Sequence, residues 1–148
     1  MIITDESLLR VKCEDVTLDE VSSLRDKLEY ELQRSADMGM PGIGLAAPQI
    51  GIPKKMAIVR VPTSNLNINI DLVNCRIASA YDESLFEEEG CLSFPGKIVK
   101  TKRYREIHVI DNLVPPFNFI VTGLAAVCCQ HELDHTRGIL LSDVAIKV

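Results

Sequence analysis

The 148-residue chain has no apolar stretch near the roughly 20 residues that a membrane-spanning helix needs; its longest covers residues 123–129. It has no basic leader followed by an apolar segment, and its first residues lack the Arg and Ser richness of a transit peptide. Basic charge is in deficit, with 16 Lys and Arg against 21 Asp and Glu and a net charge of −5. That balance argues against nucleic acid as a direct partner. The five cysteines, Cys13, Cys75, Cys91, Cys128 and Cys129, are odd in number and irregular in spacing. This excludes a closed disulfide framework and points to reduced thiols. Repeats, low-complexity tracts and linkers are also missing. The expectation is a protein kept in a cytosol, with no membrane contact.

What is present is an ordinary globular balance, 47% hydrophobic and 25% charged. At about 100–200 residues per domain, this is one domain over residues 1–148. Thr17 and Glu20 fit a capping box, and Val21, Leu24, Leu28 and Leu32 recur at helical spacing, so a helix is predicted over about 17–37. Residues 42–53, rich in Gly and Pro, read as an ordered loop. Strands are expected at 56–61, 68–74, 98–99, 107–110 and 117–121, and a second helix over 123–137, ended by Gly138. Lys97, Lys100, Lys102, Arg103 and Arg105 follow the acidic Glu87, Glu88 and Glu89, a pattern that reads as a solvated hairpin with paired charges. Helix, strands, then helix implies an α+β fold with mostly antiparallel sheet packed around the last helix.

Only three histidines occur, and two of them flank Glu132 in His131-Glu132-Leu133-Asp134-His135. Four residues apart on a helix, His131 and His135 share a face and reach one cation. Glu132 lies about 100° round the helix and can instead reach a water on that ion, the general-base position of the motif. The third ligand is not set by this spacing. No Glu follows His135, and Leu141 stands where a third histidine would extend the motif, so two common protease patterns fail. Cys128 and His135 are about 10 Å apart along the axis, too far to share an ion easily. Cys91, His108, Cys75 and Cys13 remain as candidates. His108, inside a predicted strand, reads as a half-buried packing residue.

Three segments together point further. Gly42-Ile43-Gly44-Leu45-Ala46-Ala47-Pro48-Gln49, Glu89-Gly90-Cys91-Leu92-Ser93 and Gln130-His131-Glu132-Leu133-Asp134-His135 resemble, in order and spacing, the three motifs of the peptide deformylases. The resemblance runs from about Ile2 to Asp143. It implies a peptide deformylase-like fold and a metallo-hydrolase that removes the N-formyl group from the initiator Met of nascent polypeptides, releasing formate. It implies Cys91, His131 and His135 as metal ligands around one Fe2+, replaceable by Zn2+, Ni2+ or Co2+, with Glu132 as general base. Gln49 and the backbone N–H of Leu92 become the oxyanion donors, and Gly42, Ile43 and Gly44 flank the peptide. Leu124, Val127 and Cys128, on the helix face leading to His131, would line an apolar trough for Met. Simple turn chemistry is the competing explanation for Gly42 and Gly44, and plain core packing for the three helix residues. A pairing of Arg103 with Glu89 would brace the Cys91 loop.

The chain departs from the family's pattern at Pro41, Pro115-Pro116 and Thr136-Arg137, which suggests a shifted peptide preference. With Val148 as its last residue it lacks the family's longer C-terminal helix, so a transient ribosome association has to do without that helix. The resemblance also implies a monomer acting on formyl-Met nascent peptides in a bacterial or virus-infected host cytoplasm. Two other functions compete: a general metallopeptidase acting on unformylated peptides, and an inactive relative with a structural metal. A structural zinc site is normally closed by four protein ligands, and it would leave Glu132 without a role.

Overall fold

The computed structural model describes residues 1–111 and 113–147; Asn112 and Val148 lie outside the described residues. Two three-stranded antiparallel sheets organise them. The first has β1 (Gly44–Ala46), β2 (Met56–Val61) and β3 (Ile68–Val73) in the order β1-β2-β3, and the second β4 (Cys75–Glu89), β5 (Val99–Asp111) and β6 (Asn118–Thr122) in the order β4-β5-β6. Four helices accompany them: α1 (Glu6–Leu9), α2 (Val21–Asp37), α3 (Gly123–Thr136) and α4 (Leu141–Val144). The expected α+β class with antiparallel sheets is found. Among the described residues no helix is long and apolar enough to cross a membrane.

Strand β2 is buried on both faces, and its two-residue alternation divides the core. Ala57, Val59 and Val61 pack with Ala125, Ala126, Cys129 and Leu133 of α3 and with Ile107 and Val109 of β5. Met56 and Ile58 point the other way, onto Val21, Leu24, Leu28 and Leu32 of α2. Helix α2 thus covers the molecule with one apolar stripe, as its spacing predicts. Helix α3 differs, because every residue over 125–136 is buried. A helix buried on all sides has no amphipathic pattern, and this one runs through the core carrying polar groups with it. Gly138, at φ +73°, supplies the left-handed residue just beyond it.

Several expectations need correction. The first helix begins as a 3-10 turn, Leu18–Glu20, behind the expected Thr17–Glu20 capping box. The Glu20 carboxylate accepts from the Thr17 N–H at 2.9 Å, while the Thr17 hydroxyl donates to Asp19 at 2.6 Å. The 42–53 segment is more than a loop, holding β1 and the 3-10 turn Ala47–Ile50. Val99 of the strand expected at 98–99 and all of the one expected at 107–110 belong to one strand, β5, while Ile98 lies just before it. Its partner β4 was expected only as the hairpin arm at Glu87 to Glu89, not as a strand from Cys75 onward. Its second half is acidic and mostly exposed, so neither alternation nor strand propensity marks it.

Leu28 is fully buried between α2 and β2. Leu28→Ala is predicted to lower unfolding free energy by about 2–5 kcal/mol in urea titration. Leu18→Ala, at an exposed position, should change it by less than about 0.5 kcal/mol. Equal small effects would contradict this account of the α2 interface.

Candidate active site

Helix α3, the loop after β4 and the segment around β1 converge on one place. Ligand atoms of Cys91, His131 and His135 lie within 4.8 Å of one another, the only such group among the described residues. Cys91 Sγ is 3.4 Å from His135 Nε2, and the two imidazoles meet edge to face with centroids 5.0 Å apart. Of the other thiol and imidazole candidates, none joins them: His108 pairs with Glu106 at 3.0 Å, and Cys13 and Cys75 turn their sulfurs to backbone carbonyls.

The orientation of the ring nitrogens matches a cation site. His131 Nδ1 is 2.8 Å from Glu89 Oε2, so the imidazole is held by its Nδ1–H and Nε2 is left available. The Nδ1 of His135 is buried without a partner. Burial, with the neighbouring His131 and Arg103, pulls the His135 pKa down to about 3, which keeps this ring neutral and able to donate a lone pair. One thiol and two imidazoles form a donor set suited to a divalent transition metal.

Glu89 is the hub beneath this group. Its Oε1 accepts from Thr101 Oγ1 and Arg103 Nε, both at 2.8 Å, and Arg103 Nη1 donates to Asp134 at 2.9 Å. All of these side chains are buried. Burial alone would raise the Glu89 pKa, but hydrogen bonds from Arg103 and His131 outweigh it and hold the carboxyl at about 2. The expected Arg103–Glu89 pairing is therefore present, extended by Asp134 and Thr101. The expectation of paired charges along the rest of the basic run is not met. Among the described residues Lys97, Lys100 and Lys102 have no salt-bridge partner, and Arg105 donates to Ser84.

Glu132 is buried beside the ligand group, and its Oε1 has no hydrogen-bond partner. Burial raises its pKa to about 7, partly offset by His131. Gln49 is fixed at both ends. Its Oε1 accepts from the Ala46 N–H at 2.9 Å, and its Nε2 donates to Ser93 Oγ at 3.0 Å with Cys91 Sγ 3.5 Å away. A cavity of about 400 Å3 opens over these groups. Gly42, Ile43, Gly44, Gln49, Cys91, Leu92, Leu124, Val127, Cys128, His131 and Glu132 all line it, whereas His135 lies behind them. Phe86, Phe94, Ile98 and Met40 also line it and were missed from sequence. Phe86 lies in the unexpected β4, and the others sit in irregular segments with no periodicity to mark them. Turn chemistry does not explain Gly42 or Gly44, since neither is among the glycines with positive φ.

The Glu89 pKa gives a signed prediction. A carboxyl at about 2 in the fold and about 4.3 unfolded stabilises the fold above the unfolded value. That contribution is lost as pH falls through the folded value. In metal-stripped protein, Glu89→Gln should cost about 3–5 kcal/mol near pH 7, and the gap to wild type should shrink steadily from pH 5 to pH 2. A gap that stays constant over that range in denaturant titrations would contradict an ionised, buried Glu89.

The chain matches the family model described as Polypeptide deformylase over residues 1–148. It is 35% identical over 147 residues to the peptide deformylase of Hydrogenovibrio crunogenus, covering 97% of this chain and 82% of that one. To the peptide deformylase of Rhizobium meliloti it is 32% identical over 143 residues, 90% and 82% of the two chains. A probable peptide deformylase from Synechococcus phage S-SSM7 superposes with TM-score 0.81 at 34% identity, covering 97% of this chain and 98% of the other. The peptide deformylase of Thermotoga maritima gives 0.79 at 28%, with 99% and 97% covered. With motif, fold and Cys-His-His group in agreement, the chain belongs to the polypeptide deformylase family, hydrolases that remove the N-formyl group from nascent peptides.

Proposed function

We propose that this chain, as a single catalytic domain over residues 1–148, deformylates the initiator Met of nascent polypeptides and releases formate. Cys91, His131 and His135 hold one Fe2+, with Zn2+, Ni2+ or Co2+ as substitutes. The observation that carries this reading is the convergence of a thiol, two imidazoles and a buried, half-unpartnered carboxylate at the base of an apolar cavity. When bound, such an ion supplies Lewis-acid chemistry and lowers the pKa of water from about 15.7 toward neutrality.

The protein groups do the rest. Glu132 takes the proton from the attacking water and passes it to the leaving amine. A carboxyl whose pKa burial has raised to about 7 is poised to do both near neutral pH. The carbonyl oxygen becomes an oxyanion, and the Gln49 amide and the Leu92 backbone N–H are its preorganised donors. Gln49 suits this role because Ala46 and Ser93 fix which way its NH2 points. Ile43, Leu124, Val127 and Cys128 form the apolar trough for the Met side chain, and the backbone at Gly42 and Gly44 runs beside the peptide. An inactive relative with a closed structural site would need a fourth protein donor; among the described residues the group has three.

The same reading implies a monomer working in a bacterial or virus-infected host cytoplasm and associating transiently with the ribosome. The bacterial relatives and the phage-derived structural neighbour support that setting.

Glu132→Gln is predicted to keep its metal and its fold while formate release from formyl-Met peptides falls about 10²–10⁴-fold or more. Retention of full activity by this variant, or an inert iron- or nickel-loaded wild type, would overturn the reading.

A further inference from the structure

We infer that Gly44 is a positioning residue for Glu132: the missing side chain at this point of β1 gives the carboxylate its place. This rests on the reading of Glu132 as general base, and it is separate from any contact of the Gly44 backbone with the peptide. A Cβ at position 44 would lie 2.5 Å from Glu132 Oε2, 3.0 Å from Glu132 Cδ and 2.9 Å from Cys128 Sγ. All three fall well inside the ~3.5–4.0 Å at which carbon contacts become favourable. Glu132 and Cys128 stand four residues apart, one above the other on α3, so β1 presses on both at once.

Neither neighbour yields cheaply. Glu132 is almost wholly buried, and Cys128 is a short side chain whose sulfur rests 3.6 Å from the Ile43 carbonyl. Helix α3 cannot retreat, because its opposite side is packed too. Backbone conformation gives no reason for glycine here. Gly44 pairs in ordinary antiparallel register with Val59, and its φ is not positive. Gly42 makes the contrast. The three atoms nearest a Cβ there all belong to the Leu92 side chain, the first at 2.8 Å, and the half-buried Leu92 can rotate away. Of the two motif glycines, only Gly44 borders the acting carboxylate.

The test is a double-mutant cycle read by metal stoichiometry, thermal unfolding, steady-state kinetics and a crystal structure. Gly44→Ala should bind metal at wild-type stoichiometry, lower kcat about 10–100-fold and leave KM within about threefold. In the Glu132→Ala background, where no carboxylate remains to be displaced, the same change should alter the residual rate by less than about threefold. In the Cys128→Ala background, which removes the thiol contact and guards against a folding failure, the loss on adding Gly44→Ala should persist. The Gly44→Ala structure should show the Glu132 carboxylate displaced. Equal losses with and without Glu132, a raised KM with intact kcat, disappearance of the loss in Cys128→Ala, or an unmoved carboxylate would each overturn the inference. Full activity of Glu132→Ala alone would instead overturn the assignment of Glu132, and this inference with it.

Discussion

A guanidinium buried between two carboxylates joins the parts of this molecule that must meet. Arg103, on β5, reaches Glu89 at the end of β4 and Asp134 on α3. Glu89 in turn holds His131. The hairpin that carries Cys91 and the helix that carries both imidazoles are therefore locked by one ionic network, away from water. Removing a charge from such a network leaves its partner buried and uncompensated, which is why these positions should tolerate so little change. Burial pulls the Arg103 pKa down, and its two carboxylates more than reverse that. The guanidinium stays charged at any pH at which the protein folds.

The burial of α3 has a second consequence. A helix packed on every side leaves Glu132 and His135 almost wholly removed from bulk solvent, with only Glu132 bordering the cavity, and desolvation moves their pKa values in opposite directions, up for the acid and down for the imidazole. Both shifts favour the neutral form. A neutral imidazole is a ligand, and a carboxyl near neutrality can both accept and return a proton. The electrostatic character of the site thus follows from packing, with the cavity above it left apolar enough for a Met side chain.

Much of this was legible from residues alone. The stripe of Val21, Leu24, Leu28 and Leu32 gave α2, and the spacing of His131, Glu132 and His135 gave a cation-binding helix. The third donor was not legible from spacing, because Cys91 comes to α3 through tertiary pairing; only the motif resemblance singled it out. Strand β4 was invisible because Asp82, Glu83, Glu87 and Glu88 have polar side chains on an exposed sheet edge, where nothing demands alternation. Phe86 was lost with it. The closeness of Gly44 to Glu132 was not legible, since a sequence does not reveal which glycine faces a helix at close range.

Zinc-edge X-ray absorption of the zinc-loaded protein tests the central claim most directly. The account predicts one sulfur at about 2.3 Å, two imidazole nitrogens at about 2.0–2.1 Å and one light exchangeable ligand. A spectrum without sulfur, or with four protein donors and no exchangeable position, would contradict it.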